Sequence, residues 1–465
     1  MDAFEEVGYW WPAGTGPDDA IPGILKYDPS FRISLELLGT FYELNKLRHL
    51  PPPEIIHGVT RGKKFTLYRC VYAGGGFAHP GFDHSSYEAN YLLAGHHFDK
   101  PESIRFNRIR ARYHLFEHWT GLEVFKGRPE YDEHDFLRSD QITYSPHTAI
   151  EARIGPDKLR ILATYLRSGD VFKELTLKHA SCVEIAFSES ITLDEFRERL
   201  NLPIQNFLTL ALGRPTSMIH LEGRSENAVD KNLRGERVDL DIEILFSHGE
   251  IPSVPESLRE DEMLFTLSDI QSDFPKIVNN LIAKEEVLRP INSLYFAVMN
   301  SSSIHPDHLF LTLTRALESY HRRIFGGHFV DQIEYEPIKD ALEAAIPEGL
   351  GTDFYDNLRS RIKYGNEYSL RGRLKDLLNR FGGPCSVFIA DPREFTKIVV
   401  CTRNYLTHFD EDDKPCAKTG IDLYWIAHKL LAVLDICLMN ELGFSSKRIE
   451  SLIARNRRYQ YLKEH

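Results

Sequence analysis

Lys397-Ile398-Val399-Val400-Cys401-Thr402-Arg403-Asn404-Tyr405-Leu406-Thr407-His408-Phe409-Asp410 is the stretch on which the reading of this chain turns. It forms the second half of a helix expected over 392–408. Asn404 and His408 are four residues apart, so they project from one helical face. Arg403 points elsewhere by its spacing, but its side chain is long enough to swing into a shared groove. The run Phe409-Asp410-Glu411-Asp412-Asp413-Lys414-Pro415 should stop the helix and leave His408 at a solvent edge. A fixed guanidinium, an amide and an imidazole titrating near pH 6.5 are suited to holding a phosphodiester and moving a proton.

That combination fits RNA strand scission through the ribose 2′-hydroxyl. Neutral His408 can take the hydroxyl proton, or its protonated form can deliver one to the leaving 5′-oxygen. Arg403 offers a cationic fork to the charged transition state. The bare pattern decides little, because Arg323-Ile324-Phe325-Gly326-Gly327-His328 repeats the spacing across a glycine break. The competing reading is structural, with Arg403 and His408 dressing the negative pole of a helix end.

Around this helix the apolar period is helical. Pro306 opens a helix with Leu309, Leu313, Ala316, Leu317, Tyr320 and Ile324 on one face, ending at Gly326-Gly327. Further helices are expected over about 272–286, 353–363, 368–381 and 422–442, the ends being uncertain by a few residues. The C-terminal part is therefore an all-α bundle.

Towards the N-terminus the period changes to two. Arg32 to Gly39, Lys64 to Tyr72, Ser181 to Ser188 and Val238 to Phe246 alternate as strands. In the last two, Glu184, Asp239, Asp241 and Glu243 fall on an acidic outer face, which indicates antiparallel sheets solvated on one side. Thr192 and Glu195 form a capping box for a helix through Leu200. Ile251 to Ser257 reads as a loop near a boundary. The fold class is thus α+β: an antiparallel β-rich domain over 1–285, then an all-α bundle over 286–465.

Hydrophobic residues make up 42% and charged residues 27% of 465, as expected of a globular chain large enough for two or three cores. No stretch is long and apolar enough to span a membrane, and the acidic start Met1-Asp2-Ala3-Phe4-Glu5-Glu6 argues against a secretory signal, so a cytoplasmic protein is expected. Six scattered cysteines without CxxC pairs read as reduced thiols. Of 56 bases and 68 acids, 23 of each lie after Asn300, leaving 33 bases against 45 acids before it. A general basic coat for nucleic acid is therefore absent, and a polyanion must be held locally.

One local patch is present. Arg359, Arg361, Lys363, Arg371, Arg373, Lys375 and Arg380 are interleaved with Tyr364 and Tyr368, offering charge for a backbone and rings for unpaired bases. A solvated helix face with salt-bridge partners accounts for the same residues. Glu318 could orient Arg403, or form a surface ion pair. In the N-terminal part, His79, His84, His96, His97, His114 and His118 read as surface and satisfied core histidines; no metal site is expected. Gly74-Gly75-Gly76 reads as a hairpin or flexible loop, and Tyr9, Trp10 and Trp11 as core.

The segments Leu313 to Arg322, Leu370 to Leu378 and Lys397 to Asp410 resemble, in order and spacing, the HEPN domains of ApeA-like anti-phage proteins. The resemblance spans about 290–461. Gly8-Tyr9-Trp10-Trp11-Pro12, Leu37-Leu38-Gly39, Leu93-Ala94-Gly95-His96-His97-Phe98 and His118-Trp119-Thr120-Gly121 are similar to that family's N-terminal domain. The resemblance implies a cofactor-free, metal-independent endoribonuclease acting in abortive-infection defence, with cellular RNA, tRNA included, as substrate. It implies Arg403 and His408 as catalytic residues, Asn404 in the polar position after the arginine, and a homodimer in which two motifs meet. The N-terminal domain would then sense a phage-derived trigger or restrain the nuclease. The alternative is a catalytically inactive HEPN scaffold for dimerisation or nucleic-acid binding.

Overall fold

A computed structural model describes residues 3–42, 51–76, 80–170, 172–231, 235–249, 258–301, 303–409 and 411–464. The loop expected over Ile251–Ser257 and His79 lie outside the described residues. The chain divides into two units, Met1–Ile282 and Ala283–His465.

The first unit holds fourteen described strands, numbered in chain order: β1 Phe4–Pro12, β2 Ile21–Tyr27, β3 Ile33–Leu37, β4 Ile55–Val59, β5 Lys64–Gly76, β6 His84–Ala94, β7 Phe106–Tyr113, β8 Phe125–Tyr131, β9 Leu137–Tyr144, β10 Ile150–Ile154, β11 Asp157–Asp170, β12 Glu174–Ile191, β13 Met218–Lys231 and β14 Arg237–Leu245. Every pairing between them is antiparallel. The order β6-β3-β2-β1-β4-β5 closes on itself because β5 also pairs with β6, giving a six-stranded barrel. From the end of β6 the sheet continues outward as β14-β13-β7-β12-β11-β10, while β8 and β9 form a separate hairpin.

The barrel interior is filled by Trp10, Leu25, Leu35, Ile56, Phe65, Leu67 and Tyr87. The Trp10 indole donates to the carbonyl of Gly23 at 3.3 Å. Gly58 lies against the same ring, where a Cβ would collide with it. Strand alternation then puts Tyr9 and Trp11 outside the barrel. Trp11 is covered by His57 and His97, but Tyr9 is 62% exposed, so it is not the core residue expected of it.

A second expectation also fails, at Glu184. It was placed on a solvated outer face, yet it is 1% exposed. Arg110 stands directly opposite it on β7 and Arg160 opposite it on β11. Both donate to its carboxylate, Arg110 at 2.7 Å. Arg110 reaches on to Glu222 of β13 at 3.3 Å. Alternating signs across adjacent strands make one cross-sheet ion-pair row, and the long arginine stems cover the carboxylate. Burial alone would raise the Glu184 pKa, but hydrogen bonds from Arg110 and Arg160 hold it below the ordinary value.

Of the two readings of Gly74-Gly75-Gly76, the hairpin fits and the flexible loop does not. The run continues β5 beyond an irregularity at Tyr72/Gly74 and pairs with Ser86, Ser85 and His84. His114 and His118 do not share a helical face, because Leu115 between them takes a left-handed φ of 63° and the Phe116–Thr120 helix starts after it. The Thr192 capping box is formed in both directions. The helix it opens runs on beyond Leu200, through a π turn at Arg197–Asn201, to Leu212.

The second unit is helical. Its longest helix, Gly420–Leu442, is apolar nearly all round from Leu430 to Met439 and is buried there. Two acids on it are buried and satisfied. Asp435 accepts from the phenols of Tyr295 at 2.5 Å and Tyr459 at 2.7 Å. Glu441 accepts from Tyr320 at 2.8 Å and from Lys284 at 2.6 Å. Helices at Glu285–Met299, Pro306–Phe325, Gln332–Ala344, Thr352–Lys363, Leu370–Arg380, Gly382–Cys385, Pro392–His408, Ser446–Arg455 and Arg457–Glu464 complete it among the described residues. Among the described residues no helix is long and apolar enough to cross a membrane.

Candidate active site

The Pro392–His408 helix begins cleanly. Asp391 accepts from the backbone N–H groups of Arg393 at 2.9 Å and Glu394 at 3.1 Å, and Pro392 occupies the first turn. Phe395, Thr396, Val399, Cys401 and Thr402 bury one face. The helix packs against the Leu370–Arg380 and Pro306–Phe325 helices. It ends at His408, with Phe409 in the left-handed region at φ 54°. Glycine usually fills that position; a phenylalanine there costs about 1 kcal/mol. The Phe409 ring is 68% exposed and stands edge-on to Tyr405, centroids 5.8 Å apart.

At this end Arg403 and Asn404 are half-buried and His408 is exposed. The Arg403 guanidinium donates through Nη1 to Asn404 Oδ1 at 3.1 Å. This uses the amide oxygen, so the Asn404 N–H2 donors and the remaining guanidinium donors stay open to a ligand. The His408 imidazole has no hydrogen-bond partner among the described residues. Together the three side chains offer an anion fork, two amide donors and a solvated proton carrier.

The chain then folds back on the helix. The Lys418 backbone N–H donates to Thr402 Oγ1 at 3.0 Å. Cys416 meets Cys401 as a disulfide with Cα atoms 6.0 Å apart. The expectation of six reduced thiols is therefore corrected at this pair; Cys70, Cys182, Cys385 and Cys437 are free and buried. The cause is non-local: the reversal at Phe409 returns the segment beside the helix it has just left. Cys401, Asp413 and Cys416 form the single cluster of metal-type ligand atoms among the described residues, and pairing of the two sulfurs removes two of its donors.

The basic residues upstream separate into three groups. Arg361, Lys363, Arg371 and Lys375 are exposed and have no carboxylate partner among the described residues; Lys363 lies over the Tyr364 ring at 5.4 Å. Arg359 pairs with Glu343 at 3.2 Å, and Arg380 with Asp376 at 2.6 Å. Arg373 is 1% exposed and cannot reach a nucleic-acid backbone. It donates to His321 Nδ1 at 3.2 Å and to the Gly326 carbonyl at 3.1 Å. An arginine only donates, so His321 Nδ1 is unprotonated and Nε2–H donates to Asp376 at 2.9 Å. Burial pushes the His321 pKa below the ordinary value. Burial lowers the pKa of Arg373, and the charge of Glu318, a candidate for orienting Arg403, acts against that shift.

Sequence reasoning missed the Tyr405–Phe409 ring pair and the Thr402–Lys418 strap. The first was readable in principle, since a helix stop without glycine or asparagine forces an ordinary residue into the left-handed region. The second had no local signal.

Comparison with known families agrees with this architecture. The model of ApeA N-terminal domain 1 matches residues 5–281, and the model of Apea-like HEPN matches residues 311–448. Neither a curated protein nor a solved structure matches the chain. A barrel-and-sheet unit matched over nearly its whole length, followed by a helical unit whose matched region contains Arg403, Asn404 and His408, places this chain in the ApeA-like HEPN family.

Proposed function

We propose that the protein is a metal-independent endoribonuclease of anti-phage defence that cuts cellular RNA, tRNA among the candidate substrates. The observation that carries this is the open helix end: Arg403 tied to Asn404, with a solvated His408 one turn on. A base removes the 2′-hydroxyl proton, the oxygen attacks the adjacent phosphorus, and the 5′-oxygen leaves with a proton. The products are a 2′,3′-cyclic phosphate and a 5′-hydroxyl. Arg403 stabilises the charge that develops on the phosphoryl oxygens, and the Asn404 amide adds donors beside it. One imidazole cannot at once accept the attacking proton and donate the departing one on the opposite side of the phosphorus. A second copy of the helical unit supplies the other histidine, so the working form is a homodimer. Exposed Arg361, Lys363, Arg371 and Lys375 provide local charge for the RNA backbone. The N-terminal unit holds the nuclease in check until infection.

The test uses full-length protein with total RNA and a chelator. Cleavage leaving cyclic phosphate ends, lost in both Arg403→Ala and His408→Ala, supports the reading. Cleavage that survives both substitutions refutes the site. RNA binding without any cleavage points instead to a dimerising or nucleic-acid-binding scaffold.

A further inference from the structure

A cavity of about 570 Å³ opens in the N-terminal unit, and no residue discussed above as catalytic lines it. Its walls come from β6 around Glu88 and Tyr91, from the Leu193–Leu212 helical segment, and from the ends of β13 and β14. The volume lies within the usual range for small-molecule sites.

The helical wall is irregular where it meets the cavity. Its π turn, Arg197–Asn201, departs from α geometry, and such turns collect at functional sites. Arg197, Asn201 and Gln205 all line the cavity. Asn201 is 9% exposed, and its Oδ1 accepts from the buried Tyr113 phenol at 2.9 Å. That bond occupies the oxygen and turns the amide donors to the cavity, where no described residue takes them.

Arg197 is unlike the arginines nearby. Arg69 is paired with Asp194, and Arg105 with Glu195. Arg197 is exposed and has no carboxylate partner among the described residues. Across the cavity, Arg32 is paired with Glu88 and lies 4.7 Å over the Phe31 ring. That leaves Arg197 as the free anion ligand of the wall.

The mouth carries an aromatic held in place from below. Phe31 is 67% exposed. Its turn is pinned by Ser247 Oγ donating to the Phe31 carbonyl at 3.0 Å and by the His248 N–H donating to the Pro29 carbonyl at 2.9 Å. An exposed ring on a fixed turn is a stacking surface.

A free guanidinium, unpartnered amide donors and a fixed ring in one cavity match the parts of one ligand class: phosphate, base edge and base face. We infer that this cavity binds a nucleoside monophosphate, with its phosphate on Arg197, its base edge on the Asn201 and Gln205 amides, and its face against Phe31. This inference does not depend on the ribonuclease reading.

The experiment titrates full-length protein with AMP, GMP, CMP and UMP by calorimetry, with the matching nucleosides and inorganic phosphate as separate arms. At least one monophosphate should bind with a Kd below about 1 mM, its nucleoside and free phosphate each about tenfold weaker or worse. Arg197→Ala should weaken the monophosphate about tenfold, and Gln205→Ala should change the preference among bases. Both positions are on the wall rather than in the core, and circular dichroism checks the fold. Absence of binding by all four, or binding unchanged in both variants, overturns the proposal. So does binding that Arg403→Ala abolishes and Arg197→Ala leaves intact, because the nucleotide would then sit in the HEPN site.

Discussion

Arg403 and Asn404 are neighbours in sequence and partners in space: the guanidinium is held by the amide oxygen at 3.1 Å rather than by a carboxylate. A neutral acceptor orients the arginine without cancelling its charge, which a phosphate ligand requires. Asn404→Asp keeps the size and replaces that acceptor with an anion. RNA cleavage should fall about tenfold in Asn404→Ala and about a hundredfold in Asn404→Asp. Single-turnover rates on a defined RNA decide this, and equal rates in the two variants would contradict the assigned role.

Arg403→Ala and His408→Ala should each lower cleavage by a factor of about a hundred or more. Arg403 is only half-buried and His408 is exposed, so neither loss should lower the melting temperature appreciably. Mixed dimers of native and variant chains offer a sharper check. If each copy supplies one of the two histidines, a dimer pairing a native with a His408→Ala chain should lose cleavage as fully as the His408→Ala dimer does, and half of the native rate would contradict the shared site.

Glu184 anchors Arg110 and Arg160 from inside the sheet. Glu184→Gln removes the buried anion over which the partly exposed Arg110 and Arg160 close, with a loss of about 2 kcal/mol at neutral pH. Its folded pKa is depressed, so the stability it provides is present above its unfolded value, about 4.3, and disappears as pH falls through the folded value. Denaturant melts at falling pH should therefore show a steeper acid-side loss in the native protein than in the variant.

His321 shifts stability in the same pH direction, although here the fold favours the neutral form. Buried and neutral between Arg373 and Asp376, it has a folded pKa below its unfolded value of about 6.5. Below pH 6.5 the unfolded chain binds a proton that the folded chain refuses, so stability drops as pH falls from about 6.5 towards the folded pKa. His321→Gln should flatten that part of the pH–stability curve of the helical unit. Gly327→Ala tests the same packing: Gly327 has φ +82°, and a Cβ would lie 2.7 Å from Arg373 Nη1 and 2.8 Å from His321. A loss of about 2 kcal/mol is expected.

The Cys401–Cys416 bridge closes a separation of 15 residues and ties the Pro392–His408 helix to the segment that follows it. Such a loop contributes about 3 kcal/mol by restricting the unfolded chain. Reductant should lower the melting temperature of the native protein and leave Cys416→Ser unchanged. Non-reducing peptide mapping should recover the two cysteines together, and finding both as free thiols would reject the bridge.

Much of the architecture was legible because its signals are local. Helical spacing placed 306–325 and 392–408, a first-turn proline opened each, and glycines closed the former. Strict alternation located β3, β12 and β14, although Val238, expected on the core face of β14, is exposed. The helices at 285–299 and 332–344 escaped because each carries an internal proline, Pro290 and Pro337, which reads as a break in isolation.

The chain alone determined that Asn404 and His408 share one face and that the helix ends straight after His408, because both follow from the 3.6-residue period and the residues next in line. It could not tell which charges lie inside. Arg373 and Lys375 look equivalent as text, yet the first is locked between His321 and Gly326 and the second is exposed. Glu184 looks like a surface acid until strands 24 and 74 residues away bring Arg160 and Arg110 over it. Closure of the barrel by β5 and β6 and the return of Cys416 to Cys401 belong to the same kind. Period is a property of neighbours along the backbone, whereas burial and charge pairing depend on segments that meet only when the chain has folded.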